Sequence, residues 1–313
     1  MRIVVLDDYQ RVASRFGDFA SLDAEVEYVD RPIVDTEELV EVLTGAEVVV
    51  AMRERTAFTA QRLSRLPDLR LLVTTGRVNA SIDMATARDR GVVVCGAEST
   101  TSATPELTWG LILSVLRHIP AEDAAIRAGG WQSTIGVDLE GRRLGTVGLG
   151  RLGTRVARVG LAFGMDVVAW SQNLTEARAA EHSVRAVSKE ELLATSDVVS
   201  VHYQLSDRSR GLIGAAELAL MKPEAVLVNT SRAGLIDTRA LLEALESGSI
   251  GGAGLDVHDA EPLPSDHPIR RAPRTVITPH LGYVTERTYR IFYSQAVEDI
   301  VAWQAGRPLR RLN

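Results

Sequence analysis

The stretch Gly145-Thr-Val-Gly148-Leu-Gly150-Arg-Leu-Gly153 decides the fold of this chain, because it sets three glycines between an apolar strand and a helical pattern. A second apolar strand, residues 167–170, follows that helix. Glycines at this spacing, inside a strand–helix–strand unit of roughly 30 residues, are typical of dinucleotide-binding turns. Gly148 allows the tight turn, Gly150 lets the backbone approach a pyrophosphate, and Gly153 lets the helix pack closely. The N–H groups that begin the helix would then hold the phosphates.

Composition excludes several classes of protein. A length of 313 residues predicts two domains, and 45% hydrophobic with 24% charged residues is ordinary for a soluble globular chain. The net charge of −6 argues against a nucleic-acid partner or an anionic membrane surface, and no apolar run is long enough to span a membrane. The single cysteine, Cys95, fits a reducing compartment, and acidic residues at 7 and 8 come too soon for a signal peptide. We therefore expect a cytoplasmic protein, and no metal site is predicted.

Strand and helix patterns alternate along most of the chain. This alternation predicts parallel sheets covered by helices on both faces. The expected strands are 3–6, 25–29, 48–52, 71–75 and 92–94, then 145–148, 166–170, 198–202, 225–229, 252–256 and 275–278. The expected helices include those near 9–16, 36–43, 59–66, 82–90, 104–118 and 284–305.

The fold class predicted from this order is α/β, with two Rossmann-like or flavodoxin-like parallel-sheet domains. Residues 1–98 carry no glycine fingerprint, so they are not expected to hold the nucleotide. A helical stretch lies before the glycine turn and another ends the chain, which suggests an inserted domain. We expect a discontinuous substrate domain of residues 1–98 plus 285–313, and a dinucleotide-binding domain of residues 99–284 inserted into it.

Side chains able to take part in catalysis follow several of the strands expected between residues 145 and 278. The carboxyl ends of parallel strands meet at one edge of the sheet, where ligands bind. One arginine, two acids and one histidine stand at or just beyond these ends: Arg232, Asp256, Glu261 and His280. The sequence therefore predicts one polar rim beside the glycine turn.

Three further segments carry a family resemblance. They are Val228-Asn-Thr-Ser-Arg-Ala-Gly234, Gly254-Leu-Asp-Val-His-Asp-Ala-Glu-Pro-Leu263 and Thr278-Pro-His-Leu-Gly282. With the glycine turn upstream, they resemble in order and spacing the signatures of D-isomer-specific 2-hydroxy acid dehydrogenases, over nearly the whole chain. The resemblance implies NAD(P)-dependent turnover of a small 2-oxo or 2-hydroxy acid, such as glyoxylate or hydroxypyruvate. It also implies the inserted-domain architecture and a homodimer through the nucleotide-binding domain.

The resemblance further implies Arg232, Glu261 and His280 as the catalytic set. Reduction of a 2-oxo acid needs a hydride at carbon and a proton at the carbonyl oxygen, and His280 can supply that proton near neutral pH. A carboxylate partner, Glu261, would favour the imidazolium and fix its orientation. Arg232 offers a planar fork of donors for the substrate carboxylate and carbonyl. The alternative for each residue, taken alone, is an ordinary surface or loop position.

Expected contacts to the cofactor come from the same rim. Asp256 would accept a hydrogen bond from the nicotinamide carboxamide. The other expected contacts are Gly148, Gly150, Arg151, Leu152, Gly153, Ser171, Gln172, Asn173, Leu205, Thr230 and Ser231. Many NAD sites carry an acid about 20 residues past the fingerprint, but residues 169–173 (Ala-Trp-Ser-Gln-Asn) contain none. The expected cofactor is therefore NAD or NADP, with a lean towards NADP or dual use.

Substrate contacts are expected from the first domain as well as from Arg232 and His280. Residues 74–83 are similar to the family's glycine loop, whose N–H groups bind the substrate carboxylate: here those of Gly76, Arg77 and Val78. Val78 and Ala80 depart from the family pattern, which has a second glycine and an acid. Arg53 and Arg77 have two possible roles: they bind a second anionic group of the substrate, or they are ordinary surface residues. Trp109 and Trp131 line the substrate pocket or serve packing.

Three alternatives stay open beside this interpretation. Formate dehydrogenase on the same scaffold is disfavoured, because the family pattern implies glutamine where Glu261 stands. A corepressor-like protein that binds a dinucleotide without turnover is disfavoured by the complete catalytic set. An enzyme like 3-phosphoglycerate dehydrogenase is possible, although no lysine-rich phosphate site is visible among the two lysines, Lys189 and Lys222.

Overall fold

The computed structural model describes residues 1–313 and divides the chain into two compact units. Unit 1 comprises Met1–Thr100 and Val284–Asn313, and unit 2 comprises Thr101–Tyr283. Unit 2 is thus inserted between two segments of unit 1. Each unit is built on one wholly parallel sheet, which confirms the predicted α/β fold class. The substrate and dinucleotide roles predicted for the two segments stay predictions at this level.

Unit 1 has five strands in the order β2-β1-β3-β4-β5, the flavodoxin-like arrangement. The strands are β1 (Arg2–Val5), β2 (Glu25–Tyr28), β3 (Val48–Ala51), β4 (Leu71–Thr74) and β5 (Val93–Gly96). The helices are α1 (Ala13–Phe16), α2 (Thr36–Val42), α3 (Ala60–Ser64), α4 (Met84–Asp89) and a C-terminal helix (Glu286–Gln304). Strands β3 and β4 are buried along their whole length, as their unbroken runs of Val, Leu and Ala favour.

Helix starts in unit 1 follow from short polar side chains. Asp35, Thr59 and Asp83 each accept a hydrogen bond from a backbone N–H three residues on, so helices α2 to α4 begin there. The helix predicted near residues 9–16 is wrong in its first half. There Asp8 accepts the N–H groups of residues 12 and 13 after a turn in which Arg11 has a positive φ of 56°, so only the last turn is helical.

Unit 2 has seven parallel strands in the order β12-β11-β10-β9-β6-β7-β8. They are β6 (Arg143–Val147), β7 (Asp166–Trp170), β8 (Arg185–Ala186), β9 (Val198–Val201), β10 (Val226–Asn229), β11 (Gly252–Leu255) and β12 (Thr275–Ile277). The helices are α5 (Ala103–Leu116), α6 (Ile119–Arg127), α7 (Arg151–Ala162), α8 (Glu176–Ala180), α9 (Lys189–Thr195), α10 (Ala215–Leu218) and α11 (Thr238–Ser247). Short 3-10 turns cover Phe19–Ser21 in unit 1 and Ala233–Leu235 and Pro268–Arg271 in unit 2.

The order of strands in unit 2 places its ligand-binding crevice. From β6 the chain first builds β7 and β8 on one side, then crosses to build β9 to β12 on the other. Open parallel sheets bind ligands at the carboxyl ends of the two strands where the order reverses, here β6 and β9. The glycine turn follows β6 directly, so it lies at this crevice.

Strand β8 and helix α6 of unit 2 were not predicted. Strand β8 has only two residues, Arg185 and Ala186, and no apolar run marks it. The helix predicted over 104–118 ends at Leu116, and a separate helix, α6, starts after His118. His118 has a left-handed φ of 53°, which breaks the helix, and Pro120 suits the first turn of the next one. No helix in either unit combines the length and apolar character that crossing a membrane requires.

Candidate active site

The three glycines of the turn after β6 differ in what requires them. A Cβ at Gly148, whose φ is 100°, would lie 2.5 Å from the carbonyl oxygen of His202, and one at Gly153 would lie 2.0 Å from that of Gly148. Both positions therefore need glycine for the fold itself. At Gly150 an added Cβ would meet no protein atom within 4 Å. Packing does not demand glycine there, so the open backbone at Gly150 suits a ligand that approaches closely.

Helix α7, which begins at this turn, carries no side-chain cap. Its N-cap is Gly150, and its first turn contains no acidic residue. Helices α8, α9 and α11 are instead capped by Thr175, Ser188 and Asp237. The first N–H groups of an α-helix have no partner within the helix, so the start of α7 offers donors and a positive dipole end. The turn and the helix together fit a pyrophosphate group.

The end of β7 presents polar groups without a carboxylate. Gln172 and Asn173 are exposed, and Ser171 is half-buried in a turn closed by the Leu174 N–H on its carbonyl oxygen. The ring of Trp170 stacks on Tyr203, with centroids 5.8 Å apart and an interplanar angle of 14°. Sequence reasoning did not single out Tyr203, which follows β9 and therefore lies on the other side of β6 from Trp170.

Arg232 stands in a turn after β10 that a buried amide holds. The side chain of Asn229 accepts a hydrogen bond from the Ser231 N–H at 3.0 Å and donates to the Arg232 carbonyl oxygen at 2.9 Å. The guanidinium donates to the Ser231 carbonyl oxygen at 2.8 Å. Asn229 was not predicted as a site residue, although asparagine before a turn is a known signal for such bonds.

The other predicted residues at this strand end are largely engaged within the protein. Ser231 Oγ donates to the Val201 carbonyl oxygen at 2.8 Å, and Thr230 shares a 2.8 Å hydrogen bond with Thr108. Leu205 packs close to the backbone of Gly234. These contacts tie the carboxyl ends of β9 and β10 to helix α5.

His280 and Glu261 form a hydrogen-bonded pair. His280 Nδ1 lies 2.7 Å from Glu261 Oε2, and Glu261 Oε1 accepts the His258 N–H at 3.0 Å. Both side chains are largely buried, with 17% and 21% of their surface exposed. A carboxylate on one ring nitrogen fixes the orientation and tautomer of an imidazole. The arrangement is therefore that of an oriented acid–base group.

Asp256 holds the backbone of the loop that carries His280. Its carboxylate is fully buried and accepts hydrogen bonds from Thr278 Oγ1 at 2.6 Å, Leu281 N at 2.6 Å and Gly282 N at 2.8 Å. Burial raises the pKa of Asp256, while these donors and the nearby imidazole of His280 act in the opposite direction. This anchoring role was missed by sequence reasoning, and the expected contact of Asp256 to the nicotinamide stays a prediction.

The predicted substrate residues Arg53, Gly76, Arg77 and Val78 belong to unit 1, where they follow β3 and β4. The Arg77 guanidinium pairs with Glu98 at 2.7 Å on the surface, and that of Arg53 lies 3.6 Å from Glu54. The backbone N–H groups of Arg77 and Val78 donate to no protein group. The loop therefore has two amides to offer a ligand.

The two tryptophans singled out in the sequence have different surroundings. Trp109 is buried in α5, donates to the Val156 carbonyl oxygen at 3.2 Å and packs on Phe163, so it serves packing within unit 2. Trp131 is 73% exposed and follows α6. The buried Cys95 has a pKa raised to about 12 by burial, which makes its thiol inert near neutral pH.

Comparison with known proteins agrees with this geometry. Residues 109–282 match the family model described as D-isomer specific 2-hydroxyacid dehydrogenase, NAD binding domain. The chain is 38% identical over 255 residues to the glyoxylate reductase of Aeropyrum pernix, which covers 78% of this chain and 76% of that enzyme. It is 34% identical to the glycerate dehydrogenase of Methylorubrum extorquens, over 94% of this chain and 96% of that enzyme.

The chain is also similar to longer dehydrogenases and to a protein of known structure. The chain spans about half the length of the D-3-phosphoglycerate dehydrogenases it matches, for example 54% of the Bacillus subtilis enzyme at 34% identity. A crystal structure of a phosphoglycerate oxidoreductase from Vibrio cholerae superposes with a TM-score of 0.94 at 36% identity, covering 98% of this chain and 99% of that one. The chain therefore belongs to the D-isomer specific 2-hydroxyacid dehydrogenase family, and it is an NAD-dependent oxidoreductase that transfers a hydride between the cofactor and a 2-hydroxy acid.

Proposed function

We propose that this enzyme reduces a small 2-oxo acid, such as glyoxylate or hydroxypyruvate, with Arg232, Glu261 and His280 as its catalytic residues. The observation that carries the proposal is the 2.7 Å hydrogen bond between His280 and Glu261, on the same sheet edge as the glycine turn. An oriented imidazole is what proton delivery to a carbonyl oxygen requires. The names of the relatives, a glyoxylate reductase and a glycerate dehydrogenase, support substrates of this size.

The proposed mechanism assigns one task to each side chain. The glycine turn and the start of α7 would hold the cofactor, which when bound would supply the hydride for C2 of the substrate. His280, protonated and held at Nδ1 by Glu261, gives a proton from Nε2 to the carbonyl oxygen as the C–O bond becomes single. The Arg232 guanidinium binds the substrate carboxylate and stabilises the negative charge that develops on the carbonyl oxygen. The products are the 2-hydroxy acid, the oxidised cofactor and a neutral His280, which takes up a proton from water.

A panel of 2-oxo acids assayed with NADH and with NADPH tests this proposal. We expect turnover of glyoxylate or hydroxypyruvate, and we expect His280→Ala to lose most turnover while cofactor affinity is largely kept. Oxidation of 3-phosphoglycerate at a higher kcat/KM would favour the phosphoglycerate relatives instead. Cofactor binding without turnover of any acid would favour a corepressor-like binding protein.

The proposed cofactor specificity is dual use of NAD and NADP, with a lean towards NADP. The support is the lack of any acid at residues 171–173, where a carboxylate would repel a 2′-phosphate. Ser171 and Asn173 are able to donate to such a phosphate, and the exposed Arg151 begins the neighbouring helix. The Michaelis constants of NADH and NADPH, measured on the same 2-oxo acid, decide the matter. A strong preference for NADH would contradict the lean.

We also propose that the enzyme is a cytoplasmic homodimer joined through unit 2. Helix α6 buries none of its residues within the chain. Four large apolar side chains on this helix and the segment after it are exposed by 51–92%: Ile119, Ile126, Trp131 and Ile135. A helix with an uncovered apolar face is typical of a surface that another chain covers. The reduced, buried Cys95 is compatible with the cytoplasm.

A further inference from the structure

A buried amide lies beneath the glycine loop of unit 1. Asn79 is only 4% exposed, although it belongs to the loop between β4 and α4. Its Nδ2 donates to the Arg53 carbonyl oxygen at 2.6 Å and to Thr74 Oγ1 at 2.9 Å, and its Oδ1 accepts the Ser81 N–H at 2.9 Å. One side chain therefore joins the segment after β3, the end of β4 and the loop itself.

The same amide helps to fix the conformation of Arg53. This arginine has a φ of 52°, in the left-handed region that residues with a side chain seldom adopt. Its N–H donates to Thr75 Oγ1 at 2.9 Å, and its carbonyl oxygen accepts from Asn79. Hydrogen bonds on both sides of the residue hold this conformation against its cost.

The Arg53 guanidinium occupies the space that a side chain at position 76 would fill. A Cβ at Gly76, whose φ is 143°, would lie 2.4 Å from Arg53 Nη1, so the guanidinium rests against the bare backbone at the start of the loop. The N–H groups of Arg77 and Val78, which donate to no protein group, come directly after this glycine. Two backbone donors beside a guanidinium are a suitable receptor for a carboxylate.

We propose that Asn79 is a positioning residue for substrate binding, because its amide holds both the loop that carries the Arg77 and Val78 N–H groups and the backbone of Arg53, whose guanidinium lies beside that loop. The inference rests on the proposed function, which assigns this loop to the substrate carboxylate. In this role Asn79 acts through its bonds to Arg53, Thr74 and Ser81 and not by direct contact with the substrate.

The test compares Asn79→Ala with Asn313→Ala. Asn313 is a matched control in the same unit, because its amide also joins two backbone groups, the Val92 carbonyl oxygen at 2.8 Å and the Val94 N–H at 3.0 Å, at the edge strand β5. We expect Asn79→Ala to raise the KM for glyoxylate or hydroxypyruvate at least about tenfold, with kcat changed less than about threefold, since positioning of a bound group is lost. The Kd of NADH stays unchanged, and Asn313→Ala leaves the KM unchanged.

A second variant separates positioning from folding. Asn79→Asp keeps the acceptor for Ser81 but loses both donated bonds and adds a negative charge near the carboxylate site, so its KM rises more than that of Asn79→Ala. Should Asn79→Ala not fold, Thr74→Val removes one of the three partners at nearly constant volume, and about a threefold rise in KM is expected.

Two results would contradict the proposed role of Asn79. An unchanged KM in Asn79→Ala or, if that protein does not fold, in Thr74→Val overturns it while wild-type turnover keeps the proposed function intact. Loss of kcat and thermal stability with no rise in KM also overturns it, because that is the pattern of a purely structural role. Absence of wild-type turnover on every 2-oxo acid is a different outcome, in which the proposed function fails and takes this inference with it.

Discussion

His280 and Glu261 lie 19 residues apart along the chain, and only the 2.7 Å bond between their side chains makes them one chemical group. At the residue scale, this pairing predicts that substitutions of Glu261 and His280 have non-additive effects on kcat/KM. Glu261→Gln replaces the carboxylate that accepts from His280 Nδ1 with a neutral amide, which weakens the bond that orients the imidazole, so we expect kcat/KM for the 2-oxo acid to fall about 10²-fold. The Kd of NADH stays unchanged, because Glu261 is not expected to touch the cofactor.

The double variant distinguishes an orienting carboxylate from an independent catalyst. If Glu261 acts only through the imidazole, then Glu261→Gln combined with His280→Ala is no slower than His280→Ala alone. Losses that multiply in the double variant would contradict this reading. Steady-state assays on one substrate at saturating cofactor provide the measurement.

A second residue-scale prediction concerns Asp299 in the C-terminal helix. Its side chain is fully buried beside Arg310, with Nε and Oδ1 3.1 Å apart, and burial raises its pKa to about 6. That pKa already includes the opposing effect of Arg310, which lowers it, and the smaller effect of Glu298, which also pairs with Arg310 and raises it. Since the folded protein binds this proton more tightly than the unfolded chain does, this group adds stability as pH falls from about 7 to 4.

Asp299→Asn removes that dependence. We expect the free energy of unfolding of the wild type to gain about 1–3 kcal/mol relative to the variant between pH 8 and pH 5. Urea denaturation at a series of pH values checks this, and parallel stability profiles for the two proteins would contradict it. The sequence alone did not mark Asp299, because its position opposite Arg310 depends on how the C-terminal tail returns to β5.

At the scale of elements, the turn between β6 and α7 provides a matched pair of glycines. Gly150→Ala adds a Cβ that meets no protein atom, at a φ of −88° that alanine readily adopts. We therefore expect the variant to fold with a Tm close to that of the wild type. The new methyl group would stand where the pyrophosphate approaches, so we expect the Kd of NADH to rise at least about tenfold.

Gly153→Ala is the contrasting change in the same element. Its Cβ would lie 2.0 Å from the Gly148 carbonyl oxygen, which is a backbone atom and not the end of a flexible side chain. We expect loss of soluble protein or a Tm lower by several degrees, because overpacking of this kind costs about 1–3 kcal/mol or more. Calorimetry and fluorescence titration with NADH measure both effects. Equal destabilisation by the two alanines would show that Gly150 serves the fold rather than the cofactor.

Elements were predictable where a local pattern determines them. The strands of both sheets appear as apolar runs, and the glycine turn has a fixed spacing, so both could be located before the structure. Hydrogen bonds between elements could not be located in this way, because they depend on where folded loops meet. The bond from Gly282 to Asp256 spans 26 residues, and so does the bond from Asn79 to Arg53. Strand β8 was not predicted, because its two residues are too few to show the apolar pattern of a strand.

At the scale of the whole molecule, the chain order explains why the catalytic candidates could be assigned from sequence to one edge of a sheet. Every catalytic candidate follows a strand of the unit 2 sheet, and a parallel sheet brings all its carboxyl ends to one edge. The candidate substrate loop belongs to the other unit, whose chain is interrupted by 183 residues of unit 2, from Thr101 to Tyr283. Sequence order alone gives no distance between residues separated in this way, so the substrate contacts were the least predictable part of the site.

The proposed homodimer is the prediction that belongs to the molecule as a whole. Light scattering should give the wild type a mass twice that of the 34.0 kDa chain. Ile126→Glu on α6 places a charge on the uncovered apolar face, so we expect a shift towards monomer, because burying an unpaired charge in an interface is costly. Val301→Glu is the matched control: Val301 lies in a helix of unit 1 and is 49% exposed, against 52% for Ile126. It should leave the mass unchanged. A monomeric wild type, or a dimer that only Val301→Glu disrupts, would contradict an interface through unit 2.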